Sequence, residues 1–123
     1  DTMKHILLTL IVFGIVGCSD PSSKAVLSLK CIDEITTWDV VINSNTQTIA
    51  VDNRIHNKNF TKNNISVSAD KESKYLKNIY YDSVKYYFKN KSWTRSSTEV
   101  PIRKDSIITE TETLSYGGSC KEV

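Results

Sequence analysis

From residue 25 onward the sequence predicts an all-β fold, a small antiparallel barrel or sandwich. Three observations carry that expectation. Short runs alternate apolar and polar residues with a period of two, as half-buried strands do. Clusters of Asn, Ser, Thr, Asp and Gly interrupt them at roughly the eight-to-twelve-residue spacing of small β domains. The stretch is also polar, rich in Asn, Ser, Thr and Lys, so its core must be small.

Each element can be justified in order. In residues 25–33, Ala25, Leu27, Leu29 and Cys31 face one way while Ser28 and Lys30 face the other. Residues 37–43 repeat the device with Trp38, Val40 and Ile42. The cluster Asn43, Ser44, Asn45, Thr46 reads as a turn, and residues 47–51 return as the second arm of a hairpin. Residues 57–64 read as a polar loop carrying Phe60, after which Ile65, Val67 and Ala69 alternate in a short strand. Residues 70–91 are ambiguous. Leu76, Ile79, Tyr80, Ser83, Val84, Tyr87 and Phe88 lie at helical spacing with Asp70 as a cap, so one short helix around 70–80 is admitted beside a loop. Val84, Tyr86 and Phe88 also alternate, and tyrosine-rich runs favour strands, so residues 84–89 are assigned to a strand. Residues 92–97 and 107–115 complete the set, and Tyr116, Gly117 and Gly118 read as a turn or bulge before a last short segment.

The N-terminal stretch is of another kind. Met3 and Lys4 open it, Ile6 to Val16 is a short apolar run, and Gly17, Cys18, Ser19, Asp20 and Pro21 end it. A membrane-spanning helix needs roughly 20 apolar residues, more than this run supplies. A positive n-region, a short apolar h-region and a small residue before a cut are the parts of a signal peptide. The residues Ile15-Val16-Gly17-Cys18 resemble the lipobox of bacterial lipoproteins, although that pattern prefers Leu at Ile15 and a small residue at Val16. Asp1 and Thr2 precede the start-like Met3 and read as a non-native extension.

The resemblance implies that residues 1–17 are a signal peptide, that Cys18 is the lipid-attachment site, and that residues 18–24 are a lipidated tether ahead of one domain, 25–123. In such lipoproteins the thiol gains a diacylglycerol and the new amine is acylated, commonly with palmitate; stable anchoring takes more than one chain. Ser19 after the cysteine, with Asp20 one place later, favours the periplasmic or surface face of the outer membrane over the inner membrane. Lipidation of Cys18 leaves Cys31 and Cys120, which permit one intramolecular disulfide in an oxidising envelope. Closing so long a loop stabilises a fold by roughly 4 kcal/mol on chain-entropy grounds, less any strain.

Little in the domain points to catalysis. His56 is the one histidine beyond the signal segment and reads as an exposed loop residue. A metal site would want several His, Cys or carboxylate ligands, and no cofactor fingerprint appears. Glu110 and Glu112 share a strand face, which reads as a solvated outer surface more readily than as an acid–base pair. With 16 Lys and Arg against 14 Asp and Glu, charge is nearly balanced and does not call for nucleic acid. Lysines and aromatics interleave at Lys74, Tyr75, Lys77, Tyr80, Tyr81, Lys85, Tyr87, Lys89 and Trp93. Two readings stand: a surface for an envelope protein or anionic glycolipid, or a core face of aromatics with lysines solvating the other side.

The expected protein is therefore non-catalytic and cofactor-free, lipid-anchored in the bacterial envelope. It binds another envelope component or blocks an extracellular factor, as receptor-blocking and phage-exclusion lipoproteins do. The alternatives are a periplasmic inhibitor of lysozyme or another hydrolase, and an accessory subunit of an outer-membrane complex. Mild positive charge counts against the inhibitor, because a basic enzyme is better met by an acidic partner.

Overall fold

A computed structural model describes residues 20–102 and 112–123. The signal segment, Cys18, residues 107–111 of an expected strand and Glu110 lie outside the described residues. Within them the chain folds into antiparallel strands: β1 Val26–Ile32, β2 Thr37–Asn43, β3 Thr48–Val51, β4 Arg54–His56, β5 Lys58–Lys62, β6 Ser66–Tyr75, β7 Asn78–Tyr87, β8 Ser92–Pro101 and β9 Glu112–Glu122. Their order across the sheet is β4-β3-β2-β1-β9-β8-β7-β6-β5, so the first and last strands are neighbours at its centre.

The sheet curls into a nearly closed barrel, and its two outermost strands explain how. β4 and β5 run in the same direction with only Asn57 between them; β4 pairs with β3, whereas β5 pairs with β6. Together they form one bent strand that changes partner and bridges the two edges. β3 and β4 pack against β6, and β4 also against β7. Residues expected as a polar loop are thus partly β5. Its polarity is tolerated because it lies at a sheet edge, and its ladder shifts register between Lys58 and Thr61 around Asn59 at φ 53°.

The abundance of Asn and Asp is largely turn chemistry. The side chains of Asp33, Asn43 and Asn63 each accept hydrogen bonds from backbone N–H groups two and three residues on, at 2.8–3.3 Å. Asp52 and Asn53 join β3 to β4 with φ of 46° and 68°, the double left-handed conformation that a two-residue hairpin needs.

The expected helix around 70–80 is absent. β6 and β7 form one ladder from Ser66↔Tyr87 to Tyr75↔Asn78 across a two-residue turn of Leu76 and Lys77. A helix would have brought Leu76 to the core with Val84 and Phe88. Instead Leu76 is 84% exposed, while Val84, Tyr86 and Phe88 point inward at a period of two. Pairing with neighbours over ten positions satisfies the backbone of both strands and overrides the weak helical spacing.

The core is apolar and compact. Leu27, Leu29 and Cys31 of β1 meet Ile42, Val40 and Trp38 of β2, and Val51 and Ile49 continue the layer onto β3. From the other side come Val67, Ala69, Val84, Tyr86, Phe88 and Trp93, with Tyr86 and Phe88 packed edge to face at 5.6 Å. Cys31 and Cys120 sit opposite each other on β1 and β9 and are joined by a disulfide across 89 positions.

Two expectations are corrected beside that bond. Gly117 and Gly118 do not form a turn; they lie within β9, paired with Thr94 and Trp93. A Cβ on Gly118 would stand 1.8 Å from the Ile32 carbonyl oxygen, so glycine is there to let the end of β1 cross close over β9. Trp93 donates from Nε1 to the same carbonyl at 3.0 Å. His56 is buried rather than an exposed loop residue. It stands opposite the buried Ile49 in the β3–β4 ladder, where its Nδ1 lies 3.1 Å from the carbonyl oxygens of both Ile49 and Arg54.

Candidate functional site

Strand directions separate the barrel into two ends. Asp20 caps a short 3-10 turn, Pro21–Ser23, that leads into β1. β1, β3, β6 and β8 run away from that end, and the other strands run back. The connections at residues 33–36, at Asp52 and Asn53, and at Leu76 and Lys77 therefore lie at the far end, as do Pro101 and Glu112.

A cleft of about 470 Å³ opens at this far end. Its floor begins with Asp33, whose carboxylate accepts from the Ile35 and Thr36 N–H groups and, at 2.9 Å, from Trp38 Nε1. The Trp38 bond does most to hold that carboxyl below its ordinary range, with smaller help from the two backbone N–H groups and from Arg95. Trp38 occupies the first inward position of β2 and is half-buried at the barrel mouth. Arg95 takes the inward position of β8 opposite Val84 and Tyr116. Its guanidinium lies 4.5 Å from the Trp38 ring centre and 5.9 Å from that of Tyr116. Such stacking is worth about 0.5–2 kcal/mol and fixes the plane of the group.

Arg95 is the group that the fold leaves uncommitted. Its Nε is buried without a hydrogen-bond partner, and none of the ion pairs among the described residues includes it. The adjacent Asp33 carboxylate is occupied by its own hairpin. Glu34 and Ile35 stand exposed at the rim, Ile35 at 96%, with Thr36 and Ser115 supplying hydroxyls. A second cleft of about 360 Å³ beside β5 differs: its Lys58 pairs with Glu72 at 2.6 Å and its Asn59 with Asp70 at 3.0 Å.

The basic and aromatic residues singled out in the sequence separate into three groups. Lys74, Tyr75 and Lys77 surround the exposed β6–β7 tip. Tyr81, Lys85 and Tyr87 share the outer face of β7, Lys85 lying 5.2 Å from the Tyr87 ring, and Lys89 follows in phase. Tyr80 faces the other way, and its hydroxyl donates to Glu99 at 3.2 Å. Trp93 is 1% exposed and belongs to the core, which removes it from any binding surface. Asn78 also donates to Glu99.

The Trp38–Arg95–Tyr116 cluster escaped the sequence because its members come from three strands brought together by the β1–β9 pairing. One signal was present: Arg95 follows Trp93 by two, a charged residue on the inward phase of a core strand. No protein-family model, curated protein or solved structure matches this chain.

Proposed function

We propose that this is a non-catalytic lipoprotein of the bacterial envelope, anchored through Cys18, that grips another envelope component or blocks an extracellular factor with the end of its barrel opposite the anchor. The carrying observation is polarity of layout. The chain joins the barrel beside Asp20, a few residues after Cys18, whereas the Trp38–Arg95–Tyr116 cleft and the exposed Tyr75 and Leu76 lie at the other end. A short lipid tether would hold the first end at the membrane and present the second outward. The inner surface of the outer membrane, or its outer face, is the proposed address.

Two measurements test this reading. Palmitate labelling of cells should mark the wild-type protein and leave Cys18→Ala unmarked; an unlabelled wild type would end the anchored reading. Receptor-blocking and lysozyme-inhibition assays with the full lipidated chain should then show blocking without enzyme inhibition. The reverse pattern would instead support the hydrolase-inhibitor alternative.

A further inference from the structure

We infer that the Trp38–Arg95–Tyr116 cleft is a binding site for a sugar that carries a carboxylate. The identification of the biological source as an envelope glycan rests on the envelope reading above; the chemistry of the cleft does not. Arg95 supplies the cation. Its guanidinium lies over the Trp38 and Tyr116 rings, its Nε has no hydrogen-bond partner, and a guanidinium can meet a carboxylate with two parallel hydrogen bonds. The Asp33 carboxylate is engaged by Trp38 Nε1 and two backbone N–H groups, and it forms none of the ion pairs among the described residues.

The remaining lining selects among anions. Asp33 and Glu34 bring two negative charges to a cleft with one guanidinium, which opposes phosphates and other multiply charged ligands more strongly than it opposes a single carboxylate. A monoanion bearing hydroxyl groups suits it better. The sugar hydroxyls can donate to the Glu34 carboxylate and exchange hydrogen bonds with the Thr36 and Ser115 hydroxyls. Tyr116, 42% exposed, offers a ring face for the apolar C–H side of a pyranose. Concavity also separates a sugar from a protein surface: about 470 Å³ falls within the roughly 300–1,000 Å³ of small-molecule sites.

The test is calorimetric titration of the full chain in detergent with glucuronic acid and N-acetylmuramic acid, against glucose and N-acetylglucosamine as uncharged counterparts. Saturable binding of the acids, at least tenfold tighter than of the neutral sugars, is expected. Arg95→Gln should weaken it at least tenfold, and Arg95→Lys should restore only part, since an ammonium cannot make the paired contact. Tyr116→Ala, at an exposed position, keeps the test usable should Arg95→Gln fail to fold; it should weaken the acids several-fold. Equal binding of neutral sugars, unchanged affinity in both variants, or no binding of either acid would overturn the proposal. So would tighter binding of a short glutamate-containing peptide, which would assign the cleft to a protein carboxylate. Loss of palmitate labelling with sugar binding intact would remove the anchor and leave the cleft assignment standing.

Discussion

The same four strands, β6 to β9, build two unlike regions. In their first half, towards Asp20, the inward positions are Val67, Ala69, Tyr86 and Trp93, sealed by the barrel's other strands. In their second half the inward positions become Lys71, Asp82, Ser97 and Leu114, then Ser73, Tyr80 and Glu99, and none of these is fully buried. The switch occurs at Arg95, beside Val84. Backbone ladders continue unbroken across it, so strand pairing, with the hydrogen bonds of Asn78 and Tyr80 to Glu99, holds the far half in shape. Stability is concentrated where the inner face is apolar, and the far half is released from packing constraints to carry polar groups. This is the division expected of a scaffold with a recognition end.

The largest expected effects fall on the near half. Trp93→Ala removes a fully buried ring and the hydrogen bond to the Ile32 carbonyl, and should cost about 3–5 kcal/mol in denaturant unfolding. Leu114→Ala, at an inward position of the far half but 47% exposed, should cost about 0.5 kcal/mol or less. Comparable losses at the two positions would erase the distinction between the halves. Replacing Cys31 and Cys120 together by Ser should destabilise by roughly 4 kcal/mol, because the bond closes most of the chain into one loop. A double variant that melts with the wild type would show that β1 and β9 need no covalent tie.

His56, on β4 and within reach of Asp82 and Lys71, makes the domain sensitive to mild acid. Burial lowers its pKa below the ordinary 6.5, against weaker upward pulls from the Arg54 and Ile49 carbonyls and Asp82. Above pH 7 the side chain is neutral in both folded and unfolded chains, and stability is complete. As pH falls through 6.5 the unfolded chain takes up a proton that the folded state resists, so stability declines until the folded pKa is passed. Asp33 and Glu72, whose folded pKa values are lowered, also lose stability in acid, but only below their ordinary 3.8 and 4.5. Unfolding curves at pH 7.5 and 5.5 should therefore differ in the wild type and coincide in His56→Gln. Identical wild-type curves would mean that the buried ring accepts its proton freely.

How far these regions could be read from the sequence also differs between them. Alternation in residues 25–43 marks the inward faces of β1 and β2, and the turn cluster at residues 43–46 marks the hairpin to β3, because an apolar core imposes a strict period of two. The Cys31–Cys120 bond followed once Cys18 was set aside for lipid. The far half has no such pattern. Leu76, Ile79, Tyr80 and Ser83 fit helical spacing, which the β6–β7 hairpin does not use, and Lys71 and Asp82 occupy inward positions that a sequence pattern assigns to the surface. His56 lies between exposed Ile55 and Asn57, so nothing periodic marks it. Its burial follows from pairing opposite Ile49 and from the packing of β4 against β6 and β7, a property of three-dimensional closure. The cleft was equally hidden, because it depends on the approach of positions 38, 95 and 116.

The change expected at the far tip is small and opposite in sign, and it carries the sharpest meaning. Leu76 holds φ at 55° while 84% exposed. The other described residues with positive φ are Gln47, Asp52, Asn53, Asn59 and Lys91, mostly types that accept the left-handed region readily. A branched apolar side chain there costs about 1–2 kcal/mol relative to an unstrained backbone. Its exposure returns no burial to offset that cost. Leu76→Gly should thus stabilise the domain by up to about 1 kcal/mol, the loss of conformational freedom on ordering glycine taking back part of the relief. If the far end is where the partner is gripped, the same variant should lose blocking activity while gaining stability. Opposite movement of the two readouts is the signature of a residue retained for contact. A stabilised variant with undiminished blocking would move the contact away from the β6–β7 tip, towards the Trp38–Arg95–Tyr116 cleft.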